Sequence, residues 1–454
     1  MVPVPMWNQP CYWSAFVIHP GYVPMRTILI VTIAALTLAG CGDNAKLPAQ
    51  DGYGPKPLLP KAKAETIPTV NIARAVGWPA GTTPVAPKGF TVTAFARDLD
   101  HPRWLYVLPN GDVLVAETNA PPKSGGGIMA WIQKKVMGMA GADTPSANRI
   151  TLLRDTDGDG AAETRSTFIS GLNSPFGMAL VGESFYVAAT DAVLRFTYKD
   201  GATQLTGQGE KIVDLPAGPR NHHWTKNIIA SPDGSKLYVT VGSNSNVGEN
   251  GMAEEEGRAA IWEIDPAAKT HRIYASGLRN PNGMFFTQSG KLWTSVNERD
   301  EIGGDLVPDY ITSVRDGGFY GWPYSYFGQH VDHRVTPERP DLVAKAISPD
   351  YAVGAHTGAL GLTFSTGANL GEGLSHGAFV SQHGSWNRKP SAGYRVIFVP
   401  FHGDTPSGSP RELLSGFLTE DGKAQGRPVG VAIDKRGGLL VADDVGNAVW
   451  RVAQ

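Results

Sequence analysis

RWLYVLPNGDVLVAE at 103–117 is an apolar strand, a Pro-Asn-Gly turn and a second strand of alternating apolar residues. The pattern returns as PFGMALVGESFYVAA (175–189), NIIASPDGSKLYVTVG (227–242), NGMFFTQSGKLWTSV (282–296), GLTFSTGANLGEGLSHGAFVSQ (361–382) and VGVAIDKRGGLLVAD (429–443). The turn glycines are Gly111, Gly182, Gly234, Gly290, Gly371 and Gly437. Their spacing exceeds the ~40–50 residues of a four-stranded blade, so each copy reads as a blade with inserted loops. Six copies predict an all-β fold, a six-bladed β-propeller over 89–454. Two packed β-sandwiches would not require six similar units. Gly89–Arg97 is a lone strand before the first copy, and Asn447–Val452 follows the last. Pairing across the first and last blades would close the ring and protect its edges.

Composition agrees with this reading. The 454 residues include 55 Gly and 34 Pro, too many breakers for a helix bundle but suited to short strands joined by turns. Lys+Arg 40 against Asp+Glu 42 gives a net charge of −2, which offers no footprint for nucleic acid. Cys11 and Cys41 both precede the repeats. The repeat region therefore has no disulfide or thiolate site, and a metal there must be held by oxygen or imidazole.

Residues 25–41, MRTILIVTIAALTLAGC, place Arg26 before an apolar run too short to span a bilayer comfortably. Leu38-Ala39-Gly40-Cys41 resembles a bacterial lipobox. Residues 1–40 are read as a signal region, with Met25 as a candidate true start and Cys41 as the lipidated residue. Residues 41–88, rich in Pro, Ala and Lys, are read as a tether. The expected location is the bacterial cell envelope, as a periplasm-facing lipoprotein that meets the membrane through its lipid anchor only.

Propellers gather function on one face, where loops from all blades converge. Asn221-His222-His223-Trp224-Thr225-Lys226 precedes the third copy, and one imidazole there is a candidate general base. If both histidines lie in extended backbone, only one can face the channel. Gly277–Gly283 precedes the fourth copy, and Arg279 can meet a carboxylate or a developing oxyanion through its planar fork. Asn282-Gly283 reads as a turn. The loop 295–305, SVNERDEIGGD, supplies carboxylate and carbonyl oxygens suited to calcium; a solvated charge run is the other reading.

Asp155, Asp157, Asp159 and Glu163 form a DxDxDG run like calcium loops, but an EF-hand's glutamate at position twelve is replaced by Ser166. An acidic hairpin turn fits equally well. Gly317–Tyr324, GGFYGWPY, reads as packing for a long inter-blade loop rather than a sugar platform. Gly125–Ala142 is open between a short surface helix and a lid.

HHWTK, GLRNPNGM, NERDEIGGDLVPDY and GGFYGWP together resemble the glucose/sorbosone dehydrogenase family, six-bladed quinoproteins that use pyrroloquinoline quinone (PQQ). GAHTGALGLTF (354–364), HGSWNRKPSAGYRVIFVPF (383–401) and GRPVGVAIDKRGGLLVADDVGNAVWRV (426–452) extend the likeness, which is greatest to the sorbosone dehydrogenase branch. The resemblance implies oxidation of an aldose or sugar-derived aldehyde by hydride transfer to PQQ. His223 matches the family's base, and Arg279 and Asn280 match the pair beside the quinone, Arg279 facing its reactive oxygen. His222 stands where soluble glucose dehydrogenases have an aspartate, and it joins Lys226 in the cofactor-binding set. The Glu298-Arg299 turn matches the place where backbone carbonyls hold calcium, although the family's turn is Gly-Pro. His383, Arg388 and Arg427 fall in blocks that supply cations for the cofactor's carboxylates. Asp443 or Asp444 is expected to add a polar contact. The fifth-blade loop Val353–Thr357 lacks the family's aromatic residue, so His356 is the candidate for that face. An electron acceptor such as a quinone or a cytochrome completes the implied partners.

Two rivals remain at this level. A metal-dependent lactonase would need carboxylates around a central ion, for which Glu298, Asp305 and Asp443 are available. A non-catalytic binding propeller would leave His223 with Arg279 unexplained.

Overall fold

The computed structural model describes residues 44–65, 69–122, 135 and 137–454. Cys11, Cys41 and most of the 125–142 segment fall outside these residues. Blade 1 comprises Pro102–Val107, Val113–Glu117, Arg149–Arg154 and Thr164–Ser170. Blade 2 comprises Gly177–Val181, Ser184–Ala188, Ala192–Thr197 and Glu210–Asp214. Blade 3 is Ile228–Ala230, Leu237–Val241, Ala260–Asp265 and Thr270–Ser276, with Gly318–Phe319 added in parallel at its edge. Pro281–Phe286, Leu292–Val296, Pro308–Ser313 and Tyr351–Ala355 form blade 4, and Ala359–Phe364, Gly377–Gln382, Arg395–His402 and Arg411–Leu414 form blade 5. Blade 6 takes Pro428–Ile433, Leu439–Asp443 and Ala448–Ala453 from the end of the chain. Its outer strand is Thr91–Ala96, paired antiparallel with Ala448–Ala453, Thr91 opposite Ala453. The expected closure is thus realised within one sheet, and the six inner strands touch in a ring that runs from blade 6 back to blade 1.

The inner strands show why the repeat reads as it does. Four of them carry a glycine where the next blade's backbone crosses. A Cβ on Gly177 would overlap Ile228 N, one on Gly283 the Leu362 N, and one on Gly361 the Val429 O. On Gly430 it would stand 2.8 Å from Arg103 O. Gly283 is therefore an inter-blade contact inside a strand, not the second half of a turn. The pairing of Pro281–Phe286 slips between Pro281 and Met284, so Asn282-Gly283 is a bulge. Proline fits the strand start at Pro102, Pro281 and Pro428 because a first residue there needs no N–H donor. The seams between blades are apolar: Trp104, Leu114, Phe168, Phe176 and Phe185 fill one, and Trp293, Phe364 and Phe401 another.

First strands begin, and second strands end, on the same face of the ring. This brings His101, His223, Asn280, Thr357 and Arg427 to one mouth of the channel, together with the residues after Val296 and Asp443. The glycine turns lie at the other end, and so does the 155–163 hairpin, whose Asp155 meets Arg436 at 3.1 Å.

Residues 44–65 and 69–88, within the 41–88 stretch read as a tether, are laid against the propeller. Tyr53–Gly54 pairs with Tyr351–Ala355 at the edge of blade 4. Lys63 N and Glu65 N donate to the Ile302 and Glu301 carbonyls, and Asn71 N donates to Trp386 O at 2.8 Å. Trp78 then reaches Asp443, and its ring packs edge-on against Trp450 and Phe417. The segment's backbone donors and Trp78 find partners on the propeller, while Leu58, Val70, Val76 and Val85 stay exposed. No helix among the described residues is long and apolar enough to cross a membrane.

Candidate functional site

His222 and His223 sit in a bend rather than in extended backbone, because Asn221 turns the chain at φ 34°. Their rings meet edge to face at 4.6 Å, so they do not alternate across a strand. His222 is exposed and His223 half-buried. The Nδ1 of His223 lies 2.8 Å from the Ser243 carbonyl, which can only accept, so Nδ1 carries the proton. Nε2 is then left with a lone pair, and no hydrogen bond among the described residues engages it. Burial, with the neighbouring His222 and Arg279, pushes the imidazole well below 6.5. Gly242 leaves room for this arrangement, since a Cβ there would overlap both Asn280 Oδ1 and the His223 side chain. The result is a neutral imidazole with its basic nitrogen unengaged, beside Asn280.

Arg279 is buried behind this pair. Its Nη1 donates to the Glu298 carbonyl at 2.7 Å, its Nη2 to Asn246 Oδ1 at 3.0 Å, and its Nε to the Asn246 carbonyl at 3.2 Å. Trp322 Nε1 donates to that same Asn246 carbonyl, so the GGFYGWP loop packs the back of the site as expected. Asp300 Oδ2 stands 3.5 Å from Arg279, while Asp300 Oδ1 receives His356 Nδ1 at 3.1 Å and Asn387 Nδ2 at 2.8 Å. Burial would raise the Asp300 carboxyl, but His356 and Arg279 outweigh it and hold it at about 2. His356 donates its other nitrogen to the Gly303 carbonyl, so both ring nitrogens are committed. Burial opposes its charge, and the Asp300 contact prevails and raises it. His356 therefore does not present a ring to the channel; it braces Asp300 from below.

Blades 5, 6 and 1 contribute a second cluster. Asp444 Oδ2 takes Arg103 Nη1 at 2.5 Å and His383 Nε2 at 2.9 Å, with His101 Nε2 at 3.6 Å. Burial would raise Asp444, yet His383, His101 and Arg103 hold it well below the usual carboxylate range. Burial lowers His101 to about 4 and also lowers His383. Arg427 is buried beside them with its guanidinium over the Tyr394 ring at 5.0 Å.

Other expected positions are corrected. Asp443 is not a ligand contact: its carboxylate accepts Trp78 Nε1, Trp450 Nε1, Arg427 N and Gly446 N, which uses its lone pairs within blade 6. Arg388 does not join His383 and Arg427; it donates to the Gly304 and Pro390 carbonyls and meets Asp305 at 3.3 Å. Lys226 is fully buried behind the histidine turn, its Nζ 3.4 Å from His223 O and 3.3 Å from Trp224 O. Burial and nearby Arg258 push it well below its usual value. It ties the turn from behind and cannot serve as a surface cation. The three carboxylates a lactonase would need do not converge, since Glu298 is held by Arg299, Asp305 by Arg388 and Asp443 by two tryptophans.

PQQ fits this mouth. Asn280 Oδ1, Asn387 Oδ1, His101 Nε2, Arg103 Nε, Arg427 Nε and Asp444 Oδ1 are buried without a hydrogen-bond partner, and all lie on this face. Native interiors leave few such atoms, so this concentration of donors and acceptors suits a flat ligand rich in carbonyl and carboxylate oxygens. Calcium at Glu298-Arg299 fits poorly. Arg279 already holds the Glu298 carbonyl, and its charge opposes a dication on that oxygen. The neighbouring carbonyls of Asp300, Gly303 and Gly304 are taken by Arg334, His356 and Arg388. The Arg299 side chain is buried away from the channel on Glu298, Asp332 and two carbonyls. Asp155, Asp157, Asp159 and Glu163 do gather their oxygens within 4.8 Å, but at the far end of the channel. Backbone N–H groups of Gly158, Gly160, Asp159 and Ala161 bond the three aspartates, as in a tight acidic turn.

Residues 84–385 match a family model described as a domain of unknown function, DUF7133, and residues 337–454 match a TrAA12-like model. The chain belongs to the DUF7133 family. It is 27% identical over 299 residues to an uncharacterized protein of Borreliella burgdorferi, covering 63% of this chain and 77% of that one. Over 298 residues it is 24% identical to a pyrroloquinoline quinone-dependent pyranose dehydrogenase of Coprinopsis cinerea, covering 52% of this chain but 40% of that enzyme. The chain thus aligns with less than half of that relative. Among solved structures, a Trichoderma reesei protein of carbohydrate-active enzyme family AA12 superposes with TM-score 0.66 at 18% identity, covering 85% of this chain and 99% of that one. The holo PQQ domain of the Coprinopsis cinerea pyranose dehydrogenase gives 0.64 at 19%, covering 85% and 100%. These superpositions establish the fold, and the sequence matches make the chain similar to PQQ-dependent sugar dehydrogenases.

Proposed function

We propose that this protein is a PQQ-dependent dehydrogenase that oxidises an aldose or a sugar-derived aldehyde, on the sorbosone dehydrogenase side of its relatives. The observation that carries the reading is His223: a neutral imidazole with Nδ1–H tied to the Ser243 carbonyl and Nε2 unengaged at the channel mouth. Bound PQQ would supply the oxidising power and accept the hydride.

The residues then divide the remaining tasks. His223 Nε2 takes the hydroxyl proton of the sugar, or of the hydrated aldehyde, as the C–H bond breaks. Ser243 fixes the tautomer that makes this possible. Arg279, aimed by Asn246 and Asp300, places positive charge beside the reacting oxygen. Asn280 offers its amide next to His223, and Arg427 would hold an anionic group on the opposite side, where His383 is tied to Asp444. A quinone or a cytochrome would drain the electrons, and lipidation at Cys41 would keep the enzyme at the cell envelope.

Purified protein should oxidise aldoses or sugar aldehydes with an artificial dye only after PQQ is added. Loss of dye reduction in His223→Ala, with PQQ still bound by absorbance, is the expected companion result. A wild-type protein that binds no PQQ and reduces no dye overturns the reading.

A further inference from the structure

The family resemblance calls for several cations around the cofactor's carboxylates, yet Arg388 is spent on Gly304 and Asp305. A different arginine stands at the channel mouth. Arg103 is the second residue of the inner strand Pro102–Val107, and nothing in the sequence distinguishes it from the repeat around it. Its guanidinium reaches from Asp444 toward the indole of Trp224, 5.9 Å away, the residue after His223. Arg103 therefore bridges the blade 6 cluster and the turn that carries the base.

The charge balance of this cluster is incomplete. Arg103 and Arg427 bring two permanent positive charges, and among the described residues the Arg427 guanidinium, stacked over Tyr394, makes one long hydrogen bond, 3.5 Å to the Ala73 carbonyl. His101, lowered to about 4, is neutral at working pH. Asp444 is the carboxylate that pairs with the cluster's side chains, through His101, Arg103 and His383, while Asp443 meets Arg427 only at its backbone N–H. Both arginine Nε atoms are buried and unpartnered, and so is Asp444 Oδ1. A buried guanidinium with an unanswered N–H is costly unless an anion completes it.

We propose that Arg103 is a further anion-binding residue of this site, gripping a carboxylate of the bound ligand together with Arg427, and that Asp444 is the positioning residue that aims it. The proposal rests on the quinoprotein reading for the identity of that ligand. Asp444 occupies one edge of the Arg103 fork through Nη1 and leaves Nε for the ligand, which fixes the direction of the grip. Arg→Lys would keep the charge but lose the fork, so the two substitutions separate charge from geometry.

The test is titration of PQQ into wild type, Arg103→Lys, Arg103→Gln, Asp444→Asn and the double variant Arg103→Lys with Asp444→Asn, read by protein fluorescence, with thermal unfolding run alongside. A quinone-free aromatic dicarboxylate, pyridine-2,4-dicarboxylate, is titrated as a second probe. Arg103→Gln should weaken PQQ about tenfold or more, with Arg103→Lys in between, as expected for loss of a charge-assisted pair. Asp444→Asn should weaken it less. In the Asp444→Asn background, Arg103→Lys should cost less affinity than it does in wild type, because the fork is no longer aimed. If Arg103 is only a counter-ion for Asp444, Arg103→Gln will lower the melting temperature and leave PQQ affinity unchanged, and the proposal is overturned. If Arg103→Gln does not fold, an Arg103→Lys affinity equal to wild type overturns it. Failure of wild type to bind PQQ sinks the quinoprotein reading; the anion site then stands only if the dicarboxylate binds and Arg103→Gln weakens it, and is overturned otherwise.

Discussion

The Nδ1 contact of His223 to a carbonyl leaves Nε2 as its basic nitrogen, and the proposed base rests on that contact. His223→Ala should lower turnover ~10²–10⁴-fold, the usual cost of losing a general base, while PQQ still binds. His222 is exposed and is anchored through its backbone N–H, which donates to Asn244, so His222→Ala should cost much less. Steady-state kinetics on the two variants checks this; a dead His222→Ala with an active His223→Ala would contradict it. The same environment sets a pH dependence. The working form of His223 is unprotonated, and its site lowers it below 6.5. Activity should therefore persist as pH falls through 6.5, with the acid limb of kcat/KM lying lower; an acid limb above 6.5 would count against His223. His223, Arg279 and Asn280 stand out in the sequence because each sits in a distinctive motif, and the fold brings them to one mouth. Asp300, Asn246 and Ser243, which bond them there, do not stand out, since a fold-back that no local spacing reveals brings them in. His101 had a faint signal, since His101-Pro102 occupies the place of Asn280-Pro281 and Arg427-Pro428 at the start of an inner strand; Arg103 had none.

At the level of elements, the inner strands and blade 6 make separate demands. Gly283→Ala pushes a methyl group into Leu362 of the next blade and should destabilise by roughly 1–3 kcal/mol or more, as overpacking does. A denaturant midpoint equal to wild type would show that the seam can yield. Asp443 gathers four N–H donors, from the Trp78 and Trp450 indoles and from the backbone of Arg427 and Gly446. Asp443→Asn cannot accept all four and should cost roughly 1.5–3 kcal/mol. Unfolding by urea measures it, and an unchanged midpoint would refute the structural assignment of this carboxylate. Adjacent Asp443 and Asp444 illustrate the limit of sequence reading: one residue of register separates a buried brace from a site carboxylate. His356, expected at the cofactor's face, instead has both ring nitrogens engaged by Asp300 and the Gly303 carbonyl, contacts that local spacing does not reveal.

Across the molecule, the repeats made the blade number readable, since six glycine turns with alternating strands admit few other arrangements. The closing strand was readable as well, and it is consequential. Removing Gly89–Arg97 would strip the partner from Ala448–Ala453 and leave an open edge, so the truncated protein should aggregate on size-exclusion chromatography. A monomeric, folded truncation would argue against closure by this strand. The course of residues 44–65 and 69–88 could not be read, because their composition suits a free linker and only the tertiary surface supplies their partners. What unites these scales is a mouth where buried polar atoms converge on one side and a neutral histidine waits on the other. The direct measurement is PQQ added stepwise to purified protein while quinone absorbance and dye-coupled sugar oxidation are followed together. The account predicts that activity rises with bound PQQ and saturates near one per chain; a protein that takes up no PQQ, or oxidises sugar equally without it, would contradict the central claim.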